Sequence, residues 1–300
     1  MHVRIRHQLS YTYEHPVQLG PHRICLRPRP VGFQELRDHR LSFNPEPCHR
    51  FSLLSASGDQ VEKVQYIGST DRLDVCAESE VITTNPPLLH LCLDQQQLPL
   101  PLPNGYLNGE LASYLYGWLP NGQHEPLAIA LAQEALIGSE NQCLRFLQQL
   151  IEMIQERISY TQRNHGPAWP AGRTLRERVG SCRDLAVVMI ECCRCIGLPA
   201  RFVSGYHLLL PQPEQYDLHA WAEVYLPGAG WRGFDPSGQG AIDERYIPIV
   251  SSSKPELTAA VSGTFSGQPN TASELTWSIE VTDLDPEGLP ANPVQLGQGS

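Results

Sequence analysis

Three residues of different chemistry, each at the edge of a separate sequence element, constrain this chain more than any other feature. A cysteine opens an apolar run in Gly180-Ser181-Cys182-Arg183-Asp184-Leu185-Ala186. A histidine follows in Asp217-Leu218-His219-Ala220-Trp221, and an aspartate in Trp231-Arg232-Gly233-Phe234-Asp235-Pro236. A thiol is partly ionised near neutral pH, and an adjacent imidazole ionises it further. A carboxylate then fixes the imidazole tautomer. The order Cys, His, Asp is the arrangement a thiol nucleophile needs.

Local sequence places each of the three. Cys182 stands where loop becomes helix: Ser181 is a favoured N-cap type, and Asp184 in the first turn suits the positive end of the helix dipole. Free N–H groups at that end stabilise a thiolate, and the N–H of Cys182 is in position to donate to an oxyanion. His219 begins a strand and Asp235 ends the next, with Pro227-Gly228-Ala229-Gly230 between them. A strict four-residue turn pairs Leu226 with Trp231 and puts His219 and Asp235 on opposite faces. A three-residue loop, with Gly230 taken into the pairing as a bulge, sets Asp235 opposite Trp221 and diagonal to His219. The constellation therefore requires the second register.

The remaining chain supplies a context of about two domains. Residues 1–100 read as all-β: Val3, Ile5, His7, Leu9, Tyr11 and Tyr13 recur at every second position, and short strands follow between Gly/Pro/Asn/Asp clusters. Leu98 to Gly105 reads as a proline-stiffened connector. Helices are expected behind Pro126 over Leu127–Ile137, through the stripe Leu144, Leu147, Leu150, Ile151, Ile154 and Ile158, and over Leu185–Ile196 up to the stop Gly197-Leu198-Pro199. Strands are expected over 201–208, 219–226 and 230–234. The alternating run Leu275–Val281 is expected to return to a sheet, and residues 286–300 to form a mobile tail. A formal charge of −10 argues against a nucleic-acid partner, since phosphate contacts require clustered Lys and Arg. No run approaches the ~20 apolar residues of a membrane span. Nine cysteines without paired spacing suit a reducing compartment, so a cytoplasmic location is expected.

Four ordered strings carry a resemblance. Gly-Ser-Cys-Arg-Asp-Leu-Ala is followed by Gly197-Leu198-Pro199-Ala200-Arg201-Phe202-Val203-Ser204-Gly205-Tyr206, then by His219-Ala220-Trp221-Ala222-Glu223-Val224-Tyr225, then by Gly230 to Pro236. Together they resemble the bacterial transglutaminase-like superfamily over roughly residues 145–250. The start, with Ile5-Arg6-His7, Tyr11-Thr12-Tyr13 and Leu19-Gly20-Pro21-His22-Arg23, is similar to the β domain of one bacterial branch. Ser262 to Gly267 is similar to that branch's C-terminal stretch. The resemblance implies an α+β fold: an N-terminal β-sandwich domain (1–100), a papain-like transglutaminase core (101–285) and the tail. It implies Cys182 as nucleophile, His219 as general base and acid, and Asp235 as the orienting carboxylate. The implied reaction is attack on an amide carbonyl to give a thioester, resolved by water or an amine. Leu185, Ala186 and Val187 depart from the family pattern after Cys-x-Asp, and residues 251–258 depart from its usual Asp-Tyr segment.

Neighbouring residues have plainer readings. Trp169 offers an indole N–H to an oxyanion or a ring to a groove wall, with packing as the alternative. Asp184 reads as a helix cap with a salt bridge to Arg201 or Arg183, and Glu223 as a buried salt-bridge partner. Cys192, Cys193 and Cys195 form a formal Cys-x-x-Cys, but no further ligands stand nearby in sequence, so no metal is expected. The resulting expectation is a cofactor-free thiol hydrolase acting on a peptide or protein substrate. An amine-transferring transglutaminase is the first alternative and a non-catalytic partner-binding protein the second.

Overall fold

The computed structural model describes residues 1–87, 100, 109–116, 123–163, 165–208, 216–238 and 240–285. The connector over 98–105, Leu100 apart, and the tail lie outside them. In chain order the strands β1 (His2–Ile24), β2 (Gln34–Asn44), β3 (His49–Leu54), β4 (Gln60–Gln65) and β5 (Ser69–Thr83) precede the helices α1 (Ala112–Tyr116), α2 (Pro126–Gly138) and α3 (Cys143–Arg157). After β6 (Ser159–Tyr160), α4 (Ala171–Glu177) and β7 (Val179–Gly180) comes α5 (Cys182–Cys195). The chain then forms β8 (Ala200–His207), β9 (His219–Leu226), β10 (Gly230–Asp235), β11 (Gly240–Ala241), β12 (Tyr246–Ser252), β13 (Val261–Ser266) and β14 (Ser273–Asp283). None of the described helices is long and apolar enough to cross a membrane.

The alternation read at the start is one 23-residue strand, β1. Its first half pairs with β5 on one side and β14 on the other; its second half pairs with β13 and β4. Register shifts between Thr12 and Val17, and again between Leu19 and His22, let the strand bend. Two groups of strands, β2-β5-β1-β14 and β3-β4-β1-β13, thus share one bent strand, the way a sheet turns a corner over a core. One apolar cluster draws Val75 and Val81 from the first group and Val61 and Val64 from the second. The run Leu275–Val281 does return to a sheet, as β14 on β1.

The second sheet has the order β11-β10-β9-β8-β12. Helix α5 is buried almost all round, as its sequence requires, and packs Leu185, Ala186 and Val188 into the cluster that holds Ala200, Phe202, Ala220 and Ala222 of β8 and β9. Tyr206, Ile247 and Ile249 of this second sheet join the N-terminal cluster instead. The sheet is therefore clamped between helices and the N-terminal strands.

A buried ionic chain reinforces that clamp. Arg29 Nε lies 2.7 Å from Asp59 Oδ1, and Arg29 Nη1 lies 3.0 Å from Glu223 Oε1. Arg201 Nη2 lies 2.7 Å from Glu223 Oε2, and Asp59 accepts the Ser251 N–H at 3.0 Å. Burial alone would raise the Glu223 pKa, but Arg29 and then Arg201 outweigh it and hold the carboxylate below its ordinary value. Glu223 is the buried ion-pair partner its sequence suggested.

Candidate active site

The N-terminal turn of α5 is fixed by one carboxylate. Asp184 is fully buried and its Oδ2 accepts both the N–H and the hydroxyl of Ser181 at 2.8 Å, the helix-start role read from sequence. Its Oδ1 accepts Arg163 Nη2 at 2.6 Å and the Trp169 backbone N–H at 2.7 Å. The ion pair is therefore with Arg163. Arg183 turns to the carbonyls of Gly166 and Arg163, and Arg201 is taken by Glu223, so neither expected partner is used. This network sets Cys182, 8% exposed, at the first turn of a rigid helix.

The β9–β10 hairpin has the shifted register. Gly230 pairs with Leu226 and Phe234 with Ala222, leaving Pro227-Gly228-Ala229 as a three-residue loop. Gly230 sits at φ +67°, a left-handed conformation that suits glycine at this loop position. Asp235 consequently continues the pairing opposite Trp221 and reaches diagonally to His219, whose Nε2 lies 2.7 Å from Asp235 Oδ2. The Cys182 thiol is the second group beside the ring that favours its charged form. With Nε2 given to the carboxylate, Nδ1 is the nitrogen left for sulfur.

The electrostatics follow from that contact. Burial would lower the His219 pKa, but hydrogen bonds to Asp235 and Cys182, with their charges, reverse this and raise it to about 10. Burial would raise the Asp235 pKa; the hydrogen bond and charge of His219, then Ser237, bring it down to about 2. The carboxylate accepts further donors: Tyr246 Oη at 2.9 Å on Oδ2, and the Ser237 N–H and Oγ at 2.8 and 2.7 Å on Oδ1. Burial and the Asp235 charge raise the Tyr246 pKa, so its hydroxyl remains a donor. Gly238 closes against this group: a Cβ there would meet Asp235 Oδ2 at 2.6 Å and Tyr246 Oη at 2.9 Å.

Tyr246, Ser237 and His207 were not found by sequence reasoning. Ser237 had a legible signal, because an aspartate two residues before a serine commonly caps that residue's N–H. Tyr246 and His207 had none, since only sheet pairing brings β12 and the end of β8 to the site. The His207 ring stacks on Tyr246, centroids 4.1 Å apart, and lies 5.2 Å from that of His219. Burial, then the His219 charge, lowers its pKa to about 4. Trp169 lies under the guanidinium carbons of Arg163 and Arg173, at 4.6 and 3.7 Å from its ring centroid, a cation–π packing arrangement.

Among the described residues two groups carry metal-ligating atoms within 4.8 Å of one another: His207, His219 and Asp235, and His124, Glu191 and Cys195. The second supplies neighbours for Cys195 that spacing did not reveal. In it His124 Nδ1 is already bonded to Glu191 Oε1 at 3.0 Å.

The geometry agrees with what the chain is similar to. Residues 129–236 match the transglutaminase-like superfamily and residues 3–82 the bacterial transglutaminase-like N-terminal region. An uncharacterized protein of Mycobacterium bovis is 26% identical over 271 residues, 82% of each chain. A protein-glutamine gamma-glutamyltransferase of Pseudomonas aeruginosa is 38% identical over 72 residues, 21% of this chain and 10% of that one. The crystal structure of a Cytophaga hutchinsonii protein, provisionally named a cysteine protease, superposes with a TM-score of 0.70 at 21% identity, covering 97% of this chain and 93% of that one. The α+β fold, its papain-like core behind a β-rich N-terminal region and the matched segments together make this chain a member of the transglutaminase-like superfamily.

Proposed function

We propose that the protein is a thiol hydrolase of peptide or isopeptide amide bonds. The observation that carries this reading is His219 held between the Cys182 thiol and the buried Asp235 carboxylate. Cys182 sulfur attacks the amide carbonyl while an N–H at the start of α5 receives the developing oxyanion. The C–S bond forms, and the C–N bond breaks as protonated His219 gives its proton to the departing amine. Water, deprotonated by His219, then attacks the thioester and releases the acid. Asp235 stays ionised throughout and holds the ring.

Mass spectrometry of a diverse peptide mixture incubated with a small primary amine tests this under reducing conditions. Cleavage or deamidation by wild type, absent in Cys182→Ala, is the expected result. Cysteine-dependent amine adducts would make the protein a transferase, and equal activity in both proteins would leave Cys182 without a catalytic role.

A further inference from the structure

A cleft of about 580 Å³ is lined by His165 and by Ser273, Glu274, Leu275, Thr276 and Trp277. Five consecutive residues of a strand cannot line a pocket on one face, because side chains alternate between faces. The cleft therefore runs along the edge of β14. Among the described residues no strand pairs with that edge, since β14 is bonded to β1 alone.

The register shows which backbone groups meet the cleft. Leu284 N–H donates to His2 O at one end of the β1–β14 ladder, and Glu14 N–H donates to Ala272 O at the other. The pairing between them is unbroken from Val3↔Asp283 to Tyr13↔Ser273. Hydrogen-bonded and non-bonded pairs alternate along such a ladder. Even-numbered residues of β14 thus turn their N–H and C=O groups to β1, and Ser273, Leu275 and Trp277 turn theirs outward into the cleft.

Two lining residues are linked to the elements that carry Cys182 and His219. Trp277 Nε1 donates to Asp217 Oδ1 at 2.7 Å, two residues before His219. The His165 carbonyl accepts Arg163 Nη1 at 3.0 Å, and Arg163 Nη2 is paired with Asp184 on the helix that begins with Cys182. His165 and Trp277 themselves meet edge to face, centroids 5.9 Å apart.

We infer that the outward edge of β14 is the substrate-docking strand: an extended polypeptide segment adds to it as a further strand and carries its amide to Cys182. This rests on the hydrolase reading and names its substrate as unfolded or locally extended polypeptide, held through backbone groups. The strand lacks the proline, lysine or bulge with which edges are commonly blunted. It carries Glu274, Glu280 and Asp283 without a cation, so two copies pairing edge to edge would set like charges together.

Hydrogen exchange read residue by residue on the Cys182→Ala protein, alone and with excess unfolded casein, tests the inference. Casein should slow exchange of the Ser273, Leu275 and Trp277 amides at least tenfold, without change at Glu274 and Thr276. Ser273→Pro deletes one outward donor at the first residue of an edge strand, where proline is tolerated. It should raise the wild-type KM for casein about fivefold, the worth of roughly one hydrogen bond. Cysteine-dependent cleavage of casein without protection of the odd-numbered amides overturns docking alone. Protection without cleavage upholds docking and counts against the hydrolase, and absence of both overturns the two together. Protection that rises with the protein's own concentration, without casein, would assign the edge to a second copy and overturn the inference.

Discussion

At the residue scale one imidazole, His219, depends on the carboxylate that charges it, Asp235. Asp235→Asn keeps the size but removes the charge and favours the wrong tautomer, and should lower kcat by roughly 10³–10⁴-fold, as loss of an orienting aspartate does elsewhere. Gly238→Ala should act on the same contact by steric push on Asp235 and Tyr246, lowering kcat with KM little changed; steady-state kinetics on one peptide separates the two. The raised His219 pKa also makes a statement about stability. The folded protein keeps a proton up to about pH 10 that the unfolded chain releases near 6.5, so this stabilisation is complete below about 6.5 and is lost as pH rises from there toward 10. The Tm difference between wild type and Asp235→Asn should shrink across that window; a difference that grows would contradict the assignment. The places of Cys182, His219 and Asp235 at element boundaries were legible because local chemistry marks each: a cap, a strand start, and a strand end before proline. Tyr246 and His207 were not, because their place depends on which strands become neighbours.

At the element scale, two local devices deliver the site. The helix start is fixed by Asp184, and the hairpin register by a three-residue loop that takes Gly230 into the pairing. The register was legible because only one of two pairings brings His219 and Asp235 to the same face. The partner of Asp184 was not, since Arg163 reaches it from a loop with no periodic signal. The Arg29–Asp59 and Arg29–Glu223–Arg201 contacts link the N-terminal strands to β8 and β9. Glu223→Ala leaves two buried guanidinium groups short of a carboxylate and should cost about 3–5 kcal/mol in denaturant unfolding. A loss below about 1 kcal/mol would show that water reaches this chain of charges.

At the scale of the whole molecule, the first and last described strands lie side by side, and the second sheet contributes Tyr206, Ile247 and Ile249 to the N-terminal core. Sequence alternation showed that Leu275–Val281 was a strand, but its partner was fixed only by the shape of β1, long enough to serve two groups of strands. A shared core predicts that the N-terminal strands and the helical part unfold together. Calorimetry should give one transition with calorimetric and van't Hoff enthalpies in agreement; two resolved transitions would mean that the clamp is weaker than its burial implies. In the proposed reaction Cys182 carries the acyl group of the substrate. Mass spectrometry of acid-quenched enzyme during peptide turnover tests it most directly. The expected result is an acyl adduct confined to the peptide bearing Cys182, released by hydroxylamine and absent from Cys182→Ala. Turnover that proceeds in the Cys182→Ala protein, or an adduct on another residue, would contradict it.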